Sequence, residues 1–180
     1  MKKCLVVFLM LMTICMCGFA EDEMDTSEQQ KKVQELGIPT ATSVGELKNL
    51  ADNLWNGGDY EGAAQVYKKY SEQANWLANI ISTNLEPYYN ADYKTRENWG
   101  YNGRLGLKQL APLETTANEY KSERNRAMVY EGLCYYNMRD YGKALPLLLK
   151  ALDILDESQK DVWETAIKTV CMMVGVTVPF

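Results

Sequence analysis

Apolar side chains recur along much of this chain at the spacing of one face of an α-helix, i, i+3, i+4 and i+7. Four segments carry such a stripe: Leu47, Leu50, Ala51 and Leu54; Ala63, Val66, Tyr67 and Tyr70; Ala144, Leu148, Ala151 and Leu152; Val162, Ala166, Val170 and Met173. No segment shows the sustained apolar–polar alternation, bounded by hairpin turns, that is typical of strands. The sequence therefore predicts an all-α protein.

Residues that cap or stop helices separate these stripes. Ser43 and Glu46 have the spacing of a capping box at the start of the first striped helix. Gly57 and Gly58 are placed to end that helix, because glycine adopts the left-handed conformation cheaply. Asp59 can then cap the next helix by accepting hydrogen bonds from its free N–H groups. The predicted unit is helix, tight turn, helix.

This unit occurs twice. "GGDYEGAAQVYKKY" (residues 57–70) and "MRDYGKALPLLLKA" (residues 138–151) align with an offset of 81 residues. The matched pairs are Asp59 and Asp140, Tyr60 and Tyr141, Ala63 and Ala144, Tyr67 and Leu148, and Lys69 and Lys150. Helices are predicted over Arg126–Asn137 and Tyr141–Leu155 in the second copy, where Pro146 predicts a late start or a mild kink.

The repeated residues resemble the tetratricopeptide repeat family, a helix–turn–helix unit of about 34 residues. The matching positions are Ala51, Gly58, Asp59, Tyr60, Ala63 and Tyr67, then Gly132, Asp140, Tyr141, Ala144, Leu148 and Ala151. Tyr70 stands where the family usually has Ala, and Arg139 where it usually has Gly. The resemblance implies a short right-handed α-solenoid of antiparallel helix pairs over 43–180. Its repeats would span about 43–75 and 125–158, followed by a capping helix at about 159–174 that ends at Gly175.

The middle of the chain departs from the repeat. The offset of 81 residues exceeds two repeats of about 34 by about 13 residues. We place an irregular insert at about 82–104, where Pro87, Gly100 and Gly103 argue against a continuous helix. An irregular helix pair is expected after it, over 105–122, with Pro112 in the first turn of the second helix.

Aromatic side chains in this insert form the first candidate binding surface. They are Tyr88, Tyr89, Tyr93, Trp99 and Tyr101. Tyr and Trp supply a large contact area for a protein partner, and they also stack on sugar rings. The insert therefore predicts recognition of a partner protein or, alternatively, of carbohydrate or peptidoglycan. The other interpretation is that the insert folds back and packs its aromatics against the helices.

The second candidate surface is the concave face that the family resemblance implies. The first helix of each repeat would line it with Lys48, Asp52, Trp55, Arg126, Val129, Leu133 and Tyr136. Trp55 and Tyr136 occupy equivalent positions, each followed by an Asn. Aromatic rings with Lys and Arg nearby suit an extended peptide that carries a carboxylate. Alternatively, the insert or the N-terminal helix fills this groove.

The first 20 residues have the pattern of a secretory signal peptide. A basic start is followed by an apolar stretch over 5–17 that is short for a membrane span of about 20 residues. Gly18 and Ala20 are the small residues of a cleavage site, so cleavage is expected after Ala20; lipoprotein processing is the alternative. Residues 21–42 would then be an acidic leader with a weak helix that stops at Gly37. The expected product is exported, periplasmic or extracellular.

Charge and composition exclude several classes of function. The net charge of −5, which becomes −7 once Lys2 and Lys3 are removed, fits neither nucleic acid nor an anionic membrane surface as partner. The chain has no histidine, which removes Ser-His-Asp and Cys-His systems and His-based zinc sites. We expect no enzyme and no cofactor or metal. A glycosidase built on carboxylates is the remaining enzymatic alternative, with Glu86, Asp92 and Glu97 as candidates.

Two cysteines would remain after cleavage, Cys134 and Cys171. In an oxidising compartment they could form one disulfide, and otherwise they are two small thiols on helices. Taken together, the patterns predict an exported bacterial adaptor or scaffold that binds a protein or peptide in the cell envelope. Carbohydrate binding through the insert is the alternative. Self-association through the end of the solenoid or the C-terminal tail is the third hypothesis.

Overall fold

A computed structural model describes residues 26–90, 94 and 100–177, with side chains over 30–87, 90, 94 and 110–177. The chain divides into two compact units, residues 1–37 and 38–180. The expected signal peptide over 1–20 lies outside the described residues. In the first unit, helix α1 spans Thr26–Leu36. The helix ends at Gly37, the expected stop, which has a φ of 75°.

Five further α-helices form the described part of the second unit. They are α2 (Ala41–Asn56), α3 (Tyr60–Tyr89), α4 (Gly100–Asn137), α5 (Tyr141–Ile154) and α6 (Lys160–Met173), with a short 3-10 helix over Glu157–Gln159 before α6. Each of these α-helices packs against the next one along the chain, and α6 also contacts α4. The described residues contain no strand, which confirms the all-α prediction for this part of the chain.

Helix α2 begins three residues earlier than the sequence predicted. Thr40 is its N-cap: the Thr40 hydroxyl accepts from the Ser43 N–H at 3.0 Å, and the Thr40 N–H donates to the Ser43 hydroxyl at 2.9 Å. The predicted box of Ser43 with Glu46 is therefore wrong. Ser43 is the third residue of the helix, and its hydroxyl also donates to Gln73 on α3 at 3.1 Å, so this position is set by packing as well as by capping.

The turns that end α2 and α4 have the same hydrogen bonds. In both, the last residues of the helix form a Schellman motif, in which one residue adopts the left-handed conformation. That residue is Gly58 in the first turn (φ 79°) and Arg139 in the second (φ 62°). The N–H to carbonyl bonds are Gly58 to Trp55 and Asp59 to Leu54, each 3.0 Å, and Arg139 to Tyr136 and Asp140 to Tyr135, each 2.9 Å. The sequence repeat is thus a repeat of backbone geometry.

Aspartates cap the helices that follow both turns. The Asp59 carboxylate accepts from the N–H of Gly62 at 2.9 Å, and the Asp140 carboxylate accepts from the N–H of Lys143 at 3.3 Å. Both bonds reach the third residue of the new helix, whose N–H has no partner within the helix. The Asp59 cap that the sequence predicted is confirmed, and Asp140 repeats it.

A small residue faces a large one where paired helices meet. Gly132 on α4 is buried, and a Cβ atom added to it would lie 2.8 Å from Cγ and Cδ2 of Leu148 on α5. Leu148 is itself fully buried. At the equivalent positions of the first pair, Ala51 and Tyr67 are buried as well. Close approach of the helices therefore depends on the small residue.

Helices α3 and α4 are longer than the sequence predicted, with 30 and 38 residues. Helix α3 continues through Pro87 and α4 through Pro112, so the helix pair expected over 105–122 is one uninterrupted helix, and much of the expected irregular insert is helical. Pro87 and Pro112 are exposed, which places each missing N–H bond near solvent, where it costs less. Mutual packing of α3 and α4, the most extensive helix contact of the unit, favours continuity.

Proline also lies inside α5. Pro146 neither delays nor shortens this helix, which begins at Tyr141 directly after its Asp140 cap. Of the two alternatives predicted at Pro146, a late start or a mild kink, the late start is wrong. Pro146 and Gly142, whose carbonyl loses its partner, are both exposed. Water can take that hydrogen bond, which explains why the helix persists.

The predicted final helix is present, and its end repeats the same turn a third time. The N–H of Val176 donates to the Cys171 carbonyl at 2.9 Å, and Gly175 is left-handed with φ 73°. A buried polar contact precedes this helix: the Gln159 amide donates to the Ser122 carbonyl on α4 at 2.9 Å. Gln159 is fully buried, so this bond satisfies a group that could not reach water.

Candidate functional site

A cleft of about 320 Å³ opens between α2, α3 and α4 of the second unit. Its lining residues are Lys48, Asp52, Trp55 and Asn56 from α2, Tyr67 and Tyr70 from α3, and Glu123, Arg126, Ala127 and Tyr130 from α4. On α2 and α4 the lining residues recur every three or four positions, so each helix presents one face to the cleft.

Four of the seven residues predicted for a groove meet in this cleft. They are Lys48, Asp52, Trp55 and Arg126. Val129 and Leu133 instead lie in the core with residues of α5 and α6, exposed by 0% and 8%. Tyr136 is half-buried, and its ring packs on that of Tyr141 with 5.7 Å between centroids. The face of α4 that carries these three residues is turned toward α5.

An ion pair joins α2 to α4 across the cleft. The Lys48 ammonium contacts both carboxylate oxygens of Glu123, at 3.0 and 2.9 Å. The Tyr70 hydroxyl donates to the same carboxylate. Burial alone would raise the pKa of Glu123, but the hydrogen bonds from Tyr70 and Lys48 outweigh it and hold the pKa below its usual value. Glu123 is therefore ionised and fixed in place at neutral pH.

A second carboxylate, Asp52, lies on the α2 wall. The Tyr67 hydroxyl donates to its Oδ1 atom at 2.7 Å. Tyr67 is 2% exposed, and burial together with this bond raises the pKa of its phenol, which therefore stays protonated and remains a donor. Asp52 is only half-buried, and it lines the cleft.

Arg126, another lining residue from α4, forms an ion pair with Asp161 of α6. Its NH1 and NH2 atoms contact the two carboxylate oxygens of Asp161 at 3.0 and 3.1 Å, a bidentate pair. This pair is well exposed to solvent, with 33% of the Arg126 and 66% of the Asp161 side chain accessible. The hydrogen bonds from Arg126 lower the pKa of Asp161. The Arg126 guanidinium therefore already has a carboxylate partner.

Aromatic rings form the apolar wall of the cleft. Tyr130 stacks on Tyr67 with 5.4 Å between centroids and an angle of 20°. Trp55 meets Tyr130 edge-on at 5.5 Å and Tyr60 edge-on at 5.3 Å. Trp55 and Tyr130 are half-buried, and both line the cleft. These contacts hold two partly open rings in fixed orientations beside Asp52.

Six lining residues were not among the predicted site residues: Asn56, Tyr67, Tyr70, Glu123, Ala127 and Tyr130. Tyr67 and Tyr70 belong to the apolar stripe of α3, and their hydroxyls reach past the core to the carboxylates. Glu123 and Tyr130 lie three residues before and four after Arg126. That i, i+3, i+7 spacing on one helix was a signal for a shared face. It was missed because residues 112–122 and 126–137 were assigned to separate helices.

The aromatic side chains of the first predicted binding surface lie outside the described part of the structure. The side chains of Tyr88, Tyr89 and Tyr101 lie outside the described part of the structure, as do Tyr93 and Trp99 entirely. Asp92 and Glu97, two of the acids considered for glycoside cleavage, also lie outside it. The binding role of this segment stays a prediction.

Cys134 is buried and Cys171 half-buried, and both are free thiols. Burial raises the pKa of Cys134 to about 12, and the nearby Glu131 adds to this shift. Within the described residues, no group of three or more Cys, Asp or Glu side chains is placed to hold a metal ion. None of the helices in that part of the chain has the length and apolar character needed to cross a membrane.

No protein family model, no curated protein and no solved structure matches this chain. The resemblance to the tetratricopeptide repeat family stays a prediction from the sequence, and so does the solenoid that it implies.

Proposed function

We propose that this protein is a binding module that holds an extended peptide segment of a partner protein in the cleft between α2, α3 and α4. The observation that carries the proposal is the aromatic wall: Trp55 and Tyr130 line the cleft as half-buried rings, and ring contacts fix both of them. Rigid, partly open aromatic side chains are typical anchors of protein interfaces, because they bury a large area at a low cost in conformational entropy.

The polar groups of the cleft support the same role. Glu123 and Asp52 are each held by a tyrosine hydroxyl from α3, so their directions are set before any ligand arrives. A small number of oriented polar groups beside an apolar wall is the usual composition of a ligand site, and a volume of about 320 Å³ accommodates a few side chains. Peptide binding uses both kinds of contact at once.

The biological setting is proposed from the N-terminal sequence. The basic start, the apolar stretch and the small residues before Ala20 support export through a signal peptide. The module would then act as an adaptor or scaffold in a bacterial cell envelope, where a peptide-binding cleft brings proteins together.

The test uses a random peptide library displayed on phage, selected on the purified protein. The affinity of each recovered peptide is measured by fluorescence anisotropy for the wild type and two variants, Asn56→Trp and Asn137→Trp. Asn56 lines the cleft, whereas Asn137 occupies the equivalent exposed position 81 residues later and is not among the lining residues. The two substitutions are therefore matched in chemistry and in local structure.

We expect peptides that bind the wild type to lose affinity by about tenfold or more with Asn56→Trp, since the indole occupies the mouth of the cleft. The same peptides should bind Asn137→Trp as they bind the wild type. Recovery of no binding peptide would overturn the proposal. Peptides that bind Asn56→Trp unchanged would show that the binding site lies elsewhere.

A further inference from the structure

Both cations of the cleft are already neutralised within the protein. Lys48 is bound by Glu123 through two contacts of 2.9 and 3.0 Å, and the Tyr70 hydroxyl adds a further bond to that carboxylate. Arg126 forms its bidentate pair with Asp161. The charge that would have attracted a peptide carboxylate is therefore already compensated on both helices.

Asp52 differs from the other charged groups of the cleft. Its hydrogen bond comes from the neutral hydroxyl of Tyr67, and no Lys or Arg of the described residues forms an ion pair with it. Lys48 lies one turn before Asp52 on α2, but its ammonium is directed to Glu123. Counting the two cations with Glu123, Asp161 and Asp52, one negative charge remains at the cleft, and it belongs to Asp52.

This charge lies beside the aromatic wall. Trp55 follows Asp52 by three residues on α2, so the two side chains share one face of the helix. Tyr67, the hydrogen-bond partner of Asp52, is the ring on which Tyr130 stacks. A carboxylate next to half-buried aromatic rings that line the same cleft matches a cation on an apolar stem: the charge pairs with the carboxylate, and the stem and charge contact the rings.

We propose that the cleft recognises a basic side chain, Lys or Arg, of the bound peptide, with Asp52 as its ionic partner and Trp55 and Tyr130 as its aromatic contacts. This inference rests on the proposed peptide-binding function and specifies its ligand. It replaces the carboxylate-bearing peptide that the sequence suggested.

A carboxylate ligand meets two obstacles in the same cleft. To reach Lys48 it must displace Glu123, which is held by three hydrogen bonds from Lys48 and Tyr70. It must also approach Asp52, whose like charge repels it. Discrimination between ligands commonly arises from such repulsion as much as from attraction.

The test uses three small probes: N-acetyl-arginine methylamide, N-acetyl-norleucine methylamide and N-acetyl-glutamate methylamide. Each is titrated into the 15N-labelled full chain, and the indole N–H signal of Trp55, assigned with the variant Trp55→Phe, is followed by NMR. The arginine probe should shift this signal saturably, and added salt should weaken its binding. The norleucine probe, which has an apolar stem and no charge, should bind several-fold more weakly. The glutamate probe should produce no saturable shift.

The matched variants are Asp52→Asn and Asp153→Asn. Asn keeps the shape of Asp52 and an oxygen that accepts from Tyr67 but removes the charge, so arginine binding should weaken about fivefold or more. Asp153 is exposed on α5, and its variant should bind like the wild type. Thermal unfolding of each variant shows whether the fold is retained. If Asp52→Asn fails to fold, Asp52→Glu, which keeps the charge, replaces it and should retain the preference for arginine.

Equal binding of the arginine and norleucine probes, or unchanged arginine binding by Asp52→Asn, would overturn the inference. So would a saturable shift with the glutamate probe. These outcomes leave the proposed function separately testable. Library peptides that lack Lys and Arg but bind Asn56→Trp more weakly than the wild type would support peptide binding and contradict basic-residue recognition. Failure to recover any peptide would instead contradict the function itself.

Discussion

Arg139 has the left-handed backbone that Gly58 has in the equivalent turn 81 residues earlier, with φ 62° against 79°. Both residues donate to the carbonyl three positions before them, so the two turns have the same geometry with different side chains. A residue with a Cβ atom pays about 1–2 kcal/mol for this conformation, whereas glycine adopts it freely. The second turn therefore stores strain that the first one lacks.

Arg139→Gly should stabilise the protein by about 0.5–1 kcal/mol, since relief of the strain exceeds the added entropy of glycine in the unfolded chain. Urea denaturation followed by circular dichroism measures the change. Arg139→Ala is the control: it removes the same exposed side chain but keeps a Cβ atom, so it should give little or no gain. Equal stabilisation by both variants would show that the gain comes from removal of the arginine side chain and not from relief of backbone strain.

Gly132→Ala should destabilise the protein by about 1–2 kcal/mol. The new methyl group would lie 2.8 Å from Leu148 Cγ and Cδ2 in a fully buried contact, which outweighs the better helix propensity of alanine. Gly45→Ala is the matched control, because Gly45 lies within α2 with nothing within 4 Å of an added Cβ atom. That variant should gain up to about 1 kcal/mol. If both variants changed the free energy of unfolding in the same direction relative to the wild type, the close packing of α4 on α5 would be contradicted.

Short-range signals made much of this fold predictable. Gly58, Asp59 and Gly175 act through hydrogen bonds to residues at most five positions away, and their roles were visible in the sequence. The continuity of α4 was not visible. Pro112 and the glycines near residue 103 argue locally for a break, and packing against α3, far away in sequence, overrides them. Thr40 was missed as N-cap because the Thr40–Ser43 box uses a serine where Glu or Gln is usual.

The candidate site likewise has features that the sequence predicts and features that depend on contacts between distant segments. Lys48, Asp52 and Trp55 have helical spacing, so their common face could be predicted. Which groups neutralise one another could not, since Glu123 reaches Lys48 from 75 positions away and Asp161 reaches Arg126 from another helix. The sign of the remaining charge follows from those pairings, and it is opposite to the one suggested by Lys and Arg in the sequence.

Stability should decrease as the pH rises from about 5 to about 8. Glu131 on α4 is 6% exposed, and this burial raises its pKa from 4.5 to about 7; Lys68 and Lys150 oppose the shift and Glu72 adds to it. Because the folded pKa is the higher one, the folded protein keeps a proton that the unfolded chain releases. The extra stability is present below about pH 4.5 and is lost through pH 7, by up to about 3 kcal/mol.

Glu131→Gln should remove most of this pH dependence and be more stable than the wild type at about pH 8, measured by urea denaturation across the pH range. Glu119→Gln, an exposed change on the same helix, should leave the wild-type slope intact. A wild-type stability that is flat between about pH 5 and 8 would contradict the burial of an ionisable Glu131.

Cys171 should react with a thiol reagent much faster than Cys134 in the folded protein. Cys134 is fully buried and burial raises its pKa to about 12, so it offers little thiolate at neutral pH. In a variant that lacks residues 1–20, and with them three of the five cysteines, mass spectrometry after a short exposure to iodoacetamide should find one modified cysteine, at Cys171, and two after unfolding in urea. Detection of a Cys134–Cys171 disulfide in the purified protein would contradict the two free thiols of this structure.

The position of a bound peptide on the protein tests most directly whether the cleft between α2, α3 and α4 is the binding site. We would record the NMR footprint of the tightest peptide recovered from the library, with the isotope-labelled protein and intermolecular contacts assigned. We expect contacts from the peptide to the rings of Trp55 and Tyr130, with a Lys or Arg side chain of the peptide next to Asp52. A footprint on α5 and α6 that leaves the signals of Trp55 and Tyr130 unchanged would contradict it.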